Sequence, residues 1–360
     1  MPTCHPTRTT LLTGQYPFRL GHPAWGSFPR DAEPRTLANV LKQAGYATCV
    51  VGKWQLALLG NDLDQPHRMG FDAYCLLGWH EGPWYYNPFV WQNGRRRLDV
   101  SDQFGPDVIT DYAIDFMTRH KDEPFFLWYP TTLCHAETND LDRPAPVGPL
   151  GRYDSFAEMA AKMDRDVGRL VAAVADLGLH EQTLIIFLAD NGTARRHLID
   201  ARNGDYIYEN IVSKMGGRDI PGGKATLTDW GCRVPLILNW PGKLAPGQAS
   251  QSLVDASDFL PSLAALAGAQ LPEGVRLDGR VTLLRTDGQA VAERRWVFAE
   301  HEGQCCVRDQ RWKLYDDGRF IDAQSDPDEQ RPLDVHNLPA ADIAARRKLQ
   351  AALGGLKYAP

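Results

Sequence analysis

The chain is expected to fold as an α/β protein. A mostly parallel, mixed central sheet would be covered by helices on both faces, with a small antiparallel sheet at the C-terminal end. Three observations predict this. The runs "PFFLWYP" (124–130) and "TLIIFLADNG" (183–192) are apolar almost throughout, as strands buried on both faces are. Such runs alternate with long segments of helical period. From about residue 295 the texture changes to short alternating runs with an Asp317-Gly318 turn signal, the mark of antiparallel hairpins.

The elements follow in order. In "CHPTRTTLLTG" (4–14), Pro6 suits the first turn of a helix and Gly14 its end. Cys4 then falls at or just before the helix N-terminus, where the helix dipole favours negative charge, and Arg8 follows about a turn later. In "RTLANVLKQAGYATCVVGKW" (35–54), Thr36 is an N-cap and Leu37, Val40, Leu41 and Ala44 recur at helical spacing. Gly45 closes that helix, and a strand over about 46–51 delivers Gly52, Lys53 and Gln55. The strand 124–130 leads into Cys134 and His135. "SFAEMAAKMDRDVGRLVAAVADLG" (155–178) reads as a long amphipathic helix, with a Ser155/Glu158 capping box and Gly178 as its stop. The next strand ends in Asp190, Asn191 and Gly192, and a fourth, "RVPLILNW" (233–240), follows Lys224. A last helix spans about 339–353. The polar stretch 285–294 suggests a division into 1–290, a main domain, and 291–360, a small α+β subdomain. Ligands of such sheets bind beyond the carboxyl ends of the strands. Lys53, His135, Asp190 and Asn191 all lie just past such an end.

Composition narrows the function. The 360 residues carry a net charge of −6, which argues against a broad nucleic-acid footprint but leaves room for a small anion held by a few converging cations. No apolar run reaches membrane-spanning length. No charged and apolar leader precedes Cys4, so no secretory signal is legible. The seven cysteines are odd in number and form no CxxC pair, a poor basis for a disulfide framework or a zinc ribbon.

The spacing C-x-P-x-R followed by L-L-T-G resembles the signature of the sulfatase family, in which an enzyme oxidises the cysteine to formylglycine. "QYPFRLGH", "GYATCVVGKWQL", "LADNGT", "GGKATLTDWGCRVPLILNWPG" and "RWKLYDDGRFIDAQSDPDE" also look like the family, so the resemblance runs from residue 4 to about 330. It implies an alkaline-phosphatase-like fold and hydrolysis of aryl or carbohydrate sulfate esters. A hydrated formylglycine made from Cys4 would attack sulfur and release the alcohol; its second hydroxyl would then expel sulfate. Arg8 would hold the formylglycine side chain, and Lys53 and Lys224 would contact the sulfate. His135 would contact sulfate or protonate the leaving oxygen. Asp190, Asn191 and the residue made from Cys4 would bind a divalent cation, calcium foremost and magnesium second, as hard oxygen ligands favour. The implied partners are a sulfated small molecule or glycan and the formylglycine-generating enzyme. Intact relatives would be exported, to the periplasm or beyond.

Single residues have plainer readings. Asp190-Asn191-Gly192 alone is a hairpin turn, Lys53 alone a solvated lysine, and His135 alone structural. Gly223-Lys224 lacks the spacing of a phosphate loop. The aromatic run "WHEGPWYYNPFVW" (79–91) fits packing under a loop better than stacking on substrate. Two departures from the family stand out. Gln55 stands at the site in place of a usual histidine; it can hydrogen-bond the same oxygens but cannot shuttle a proton at neutral pH, and "TLCHAETND" lacks the usual pattern around His135. The family also carries an apolar strand ending in two aspartates well before the cysteine, whereas three residues precede Cys4 here. The expectation is an N-terminally truncated chain, without its first core strand, that binds metal weakly and turns over little. The alternatives are a phosphate or phosphonate ester hydrolase on the same scaffold, and a non-catalytic, degenerate sulfatase-like binding protein.

Overall fold

A computed structural model describes residues 1–78, 80–135, 155–202, 205–284 and 293–358. The first helix, α1 (Cys4–Thr13), begins after an extended Thr3 and ends at Gly14, whose φ of 67° is left-handed. This helix is polar yet buried. Its threonines make that possible: Thr7, Thr9, Thr10 and Thr13 each donate a hydroxyl to the carbonyl four residues back, so no side-chain polar group goes into the interior unpaired.

Helix α2 (Leu37–Gln43) is capped as its sequence requires, with Thr36 Oγ1 accepting from the Asn39 N–H. Gly45, at φ 88°, turns the chain into β1 (Ala47–Lys53). The single-turn α3 (Gln65–Arg68), then β2 (Ala73–Leu77), β3 (Val90–Gln92), β4 (Arg95–Arg96), α4 (Gly105–Arg119) and β5 (Phe125–Trp128) follow. Helix α5 (Phe156–Asp176) starts with Ser155 Oγ accepting from the Glu158 N–H and stops before Gly178, at φ 71°. Next come β6 (Ile185–Leu188), two hairpins made of β7 (Arg196–Arg202), β8 (Asp205–Asn210), β9 (Val212–Met215) and β10 (Arg218–Pro221), the short α6 (Asp229–Cys232), β11 (Leu236–Asn239) and α7 (Phe259–Ala267).

The main sheet has the order β4-β3-β2-β1-β5. β1 runs parallel to β2 and β5, whereas β3 and β4 are antiparallel additions. Alternation along β1 divides the core. Val50, Phe126 and Trp128 pack with Leu37, Leu41 and Leu260 of α2 and α7. Cys49, Val51 and Leu127 pack with Ile109, Phe116 and Leu170 of α4 and α5. The predicted helix-covered α/β sheet is therefore present. One expectation differs. The apolar run of β6 reads as a sheet-centre strand, but among the described residues β6 pairs only with the antiparallel β11, apart from the main sheet. Every residue of β5 and β6 is only half-buried, because among the described residues each strand is bonded along one edge alone.

The C-terminal sheet is an antiparallel meander of β12 (Val297–His301), β13 (Gln304–Arg308), β14 (Trp312–Tyr315) and β15 (Phe320–Asp322). Asp317-Gly318 turns β14 into β15, as its sequence predicts. Helix α8 (Ala340–Tyr358) outruns its expected end at 353 because Leu356 extends the buried face of Leu349 and Leu353 past two glycines. Tyr16 and Phe18 join this C-terminal core and pack against Phe298. The expected boundary at 290 falls within 285–292, outside the described residues, as does Trp79 of the aromatic run.

Candidate active site

Cys4 is the first residue of α1 and is 2% exposed. Lys53, the last residue of β1, places its Nζ 3.8 Å from Cys4 Sγ. Gly52 makes this delivery possible. Its φ is 123°, and a Cβ there would lie 2.3 Å from the Pro130 carbonyl oxygen. That same oxygen accepts the Lys53 N–H at 2.8 Å, so β1 and the end of β5 meet at a point only glycine tolerates.

Arg8 joins three elements. Its Nη1 donates to the Lys53 carbonyl at 2.7 Å, and its Nε and Nη2 donate to Asp190 Oδ2 at 3.3 and 3.2 Å. Asp190 stands just past β6, so Arg8 brings the carboxyl ends of β1 and β6 together. Lys224 is reached from the other side of the two hairpins. Its N–H donates to the Thr193 carbonyl, and the next N–H, of Ala225, donates to the Pro2 carbonyl. Gly192 lets this loop close against the turn after β6, since a Cβ there would lie 1.8 Å from the Trp230 carbonyl oxygen.

The electrostatics follow from burial. Lys53 is 3% exposed, and its pKa is lowered to about 8, first by burial and then by repulsion from Arg8 and Lys224, against the pull of Cys4 and Asp190. Trp84, fully buried, offers its ring face 5.2 Å from Lys53 Nζ and packs at a tilt against His135, 5.8 Å between ring centroids. Tyr85 donates its hydroxyl to the carbonyl oxygens of Thr132 and His135, fixing the loop that carries the imidazole.

Cys4, Arg8, Lys53, His135, Asp190, Asn191 and Lys224 all line one cavity. Gln55 does not. It sits two residues past Lys53 with φ 65°, fully buried, with neither amide atom bonded within the described residues. Sequence reasoning missed two participants. Thr132 lines the cavity with a buried hydroxyl that has no partner among the described residues, and its only signal was its place in the loop after β5. Trp84 was read as packing, and it does pack, but against the two groups nearest the chemistry.

For a divalent cation the described residues are too few. Asn191 Oδ1 is a buried acceptor without a bonded partner, as a waiting ligand would be. Yet Asp190 Oδ2 is taken by Arg8, and no group of three or more His, Cys, Asp or Glu side chains gathers among the described residues. Calcium takes about 6–8 oxygens, so this set alone does not fit it.

Comparison with known proteins agrees with the geometry. The family model described as Sulfatase matches residues 1–269. Arylsulfatase A of Bos taurus is 32% identical over 309 residues, covering 77% of this chain and 57% of its own. N-acetylgalactosamine-6-O-sulfatase of Bacteroides thetaiotaomicron is 27% identical over 365 residues, covering 83% and 70%. The chain thus spans a little over half the length of the first of these. Among solved structures, a sulfatase from a Pseudoalteromonas species superposes with a TM-score of 0.73 at 21% identity, covering all of this chain and 82% of its own. A phosphonate monoester hydrolase from Silicibacter pomeroyi reaches 0.63 at 17% identity, covering 99% and 86%.

Proposed function

The chain belongs to the sulfatase family, and from that premise we propose that it acts on sulfate esters of sugars or aryl alcohols at the cavity around Cys4. The observation that carries this reading is the buried lysine ammonium 3.8 Å from Cys4 Sγ, in a cavity also lined by Lys224 and His135. The tetrahedral, anionic sulfate group of an ester needs donors that converge in a site sheltered from water.

Formylglycine formed from Cys4 supplies the nucleophile, as a hydrated aldehyde with two hydroxyls on one carbon. The chain's own groups do the rest. Lys53 donates to a sulfate oxygen and is held in place by the Gly52–Pro130 contact and the face of Trp84. Lys224 donates from the opposite wall. His135, braced by Tyr85, gives a proton to the departing alkoxide or phenoxide. Arg8 keeps the nucleophile's helix, β1 and Asp190 in register. Thr132 offers its unpaired hydroxyl to substrate. Asp190 and Asn191 are the oxygens this chain would offer to a divalent cation, calcium by their hardness.

The test is hydrolysis of an aryl sulfate and of the matching aryl phosphonate ester by protein co-produced with the formylglycine-generating enzyme. The reading predicts that the sulfate is cleaved faster and that Cys4→Ala and Lys224→Ala abolish turnover. A faster phosphonate reaction would transfer the assignment to the phosphonate hydrolase reading. Sulfate binding without turnover of either ester, in protein carrying formylglycine, would favour the non-catalytic one.

A further inference from the structure

Helix α6 sits between two loops that carry residues of the site. On one side the Gly192 N–H donates to the Gly231 carbonyl at 2.9 Å, which fixes the turn after Asp190 and Asn191. On the other, Gly223 packs so closely on Trp230 that a Cβ there would lie 2.3 Å from the Trp230 carbonyl carbon. Lys224 follows, and Thr226 closes the loop: its N–H and its hydroxyl both donate to the Gly223 carbonyl, at 3.0 and 2.7 Å. Ala225, between them, has φ 65°, a left-handed backbone that alanine keeps only where its surroundings hold it.

The hold comes from the C-terminal sheet. Lys313 of β14 is 1% exposed. Its ammonium donates to the Leu227 carbonyl and, at 2.7 Å, to Glu329 Oε1. The same Glu329 oxygen accepts the Asp229 N–H at 3.1 Å, and the other oxygen accepts the Tyr315 hydroxyl. Arg308 of β13 donates to both carboxylate oxygens of Asp229 at 2.9 Å, and Asp328 accepts from Trp230 Nε1 at 2.9 Å. Leu227, Asp229 and Trp230 are thus each bonded to the sheet or to the turn after it. A buried ion pair is a poor source of stability, because apolar residues of the same volume often serve as well or better. What a buried lysine adds is direction. Its donor must meet one carbonyl, so it admits one placement of the loop where an apolar side chain would admit several.

We propose that Lys313, braced by Glu329, is a positioning residue for Lys224. Its bond to the Leu227 carbonyl fixes the 223–229 loop so that the Lys224 ammonium faces the site. The C-terminal sheet thereby governs sulfate affinity without touching sulfate. This rests on the reading of Lys224 as a sulfate donor.

The test uses the full chain and two readouts. The first is hydrogen exchange, followed by mass spectrometry, in ligand-free protein, which needs neither sulfate nor activity. Lys313→Met should speed exchange across 223–232 by about tenfold or more and leave β1 unchanged. The second is calorimetric binding of inorganic sulfate in a double-mutant cycle with Lys224→Ala. Lys313→Met alone should weaken binding by about tenfold, but by less than about twofold when Lys224 is already alanine. A merely structural lysine would weaken binding equally in both backgrounds. Glu329→Gln, which keeps the side chain's size, should move both readouts the same way by a smaller factor, and it decides the matter if Lys313→Met does not fold. Equal losses in both backgrounds, unchanged affinity despite a loosened loop, or faster exchange confined to β13 and β14 would overturn the proposal. If the unaltered protein binds no sulfate, it is the sulfate reading that fails, and the exchange result alone then decides whether Lys313 holds the loop.

Discussion

At the scale of single residues, the site depends on keeping Lys53 charged where charge is unwelcome. Its ammonium is buried and its pKa has fallen to about 8. The sign of the consequence is fixed. Between about pH 8 and the ordinary lysine value, the unfolded chain binds the proton that the folded chain has lost, so stability rises with pH across that window. Below pH 8 the full cost is present. Lys53→Met should therefore stabilise the protein at pH 7, by about 1–3 kcal/mol, while eliminating binding of inorganic sulfate; urea denaturation and calorimetry would check both. In the unaltered protein, sulfate affinity should fall as pH rises through about 8, shifted upward to the extent that bound sulfate holds the proton. Arg8→Lys should cost about 2–3 kcal/mol in urea, because an ammonium cannot make the three bonds of the Arg8 fork to Lys53 and Asp190. Lys53, His135 and Asp190 were legible because each stands at or beyond a strand's carboxyl end, and Cys4 and Arg8 because of their spacing at the start of a helix. Gln55 was placed with them by its neighbourhood to Lys53, but a left-handed backbone takes it away from the cavity wall. Thr132 left no signal in the sequence beyond its place after β5, because a hydroxyl left without a partner among the described residues is a fact of three dimensions.

At the scale of elements, local chemistry marked where segments begin and end. Thr36, Ser155, Gly45 and Gly178 cap the helices that their sequence positions predict. The clearest test is Gly52→Ala. It would force a left-handed alanine and a Cβ 2.3 Å from the Pro130 oxygen, costing about 3 kcal/mol or more. Because the same contact positions Lys53, sulfate affinity should fall alongside stability, whereas Thr36→Ala should cost about 1 kcal/mol and leave affinity unchanged. Which strands neighbour one another was not legible. The runs of β5 and β6 both read as sheet-centre strands, yet apolarity records that a strand expects cover, not which partner provides it.

At the scale of the whole molecule, the first and last parts of the chain are tied together. Asp258 and Arg294 form a buried ion pair, and Arg294 also donates to the Asp278 carbonyl. Asp278 in turn accepts from Arg19 and from the Tyr16 N–H. Arg294→Ala leaves Asp258 buried and unpaired, so it should cost about 3–5 kcal/mol and loosen the 297–322 meander, measurable as faster hydrogen exchange there. The change of texture near 295 marked the C-terminal sheet correctly, but nothing in it showed that Tyr16 and Phe18 complete that sheet's core. The family and its helix-covered sheet were legible from motif order. The two-part sheet was not, because it depends on long-range pairing. The central claim is that Cys4 is the precursor of the nucleophile. Mass spectrometry of the peptide bearing Cys4, from protein co-produced with the formylglycine-generating enzyme, tests it most directly. An aldehyde at position 4, trapped by a hydrazide and absent from Cys4→Ala, is the predicted result. An intact thiol there, in cells that convert a control sulfatase, would contradict it.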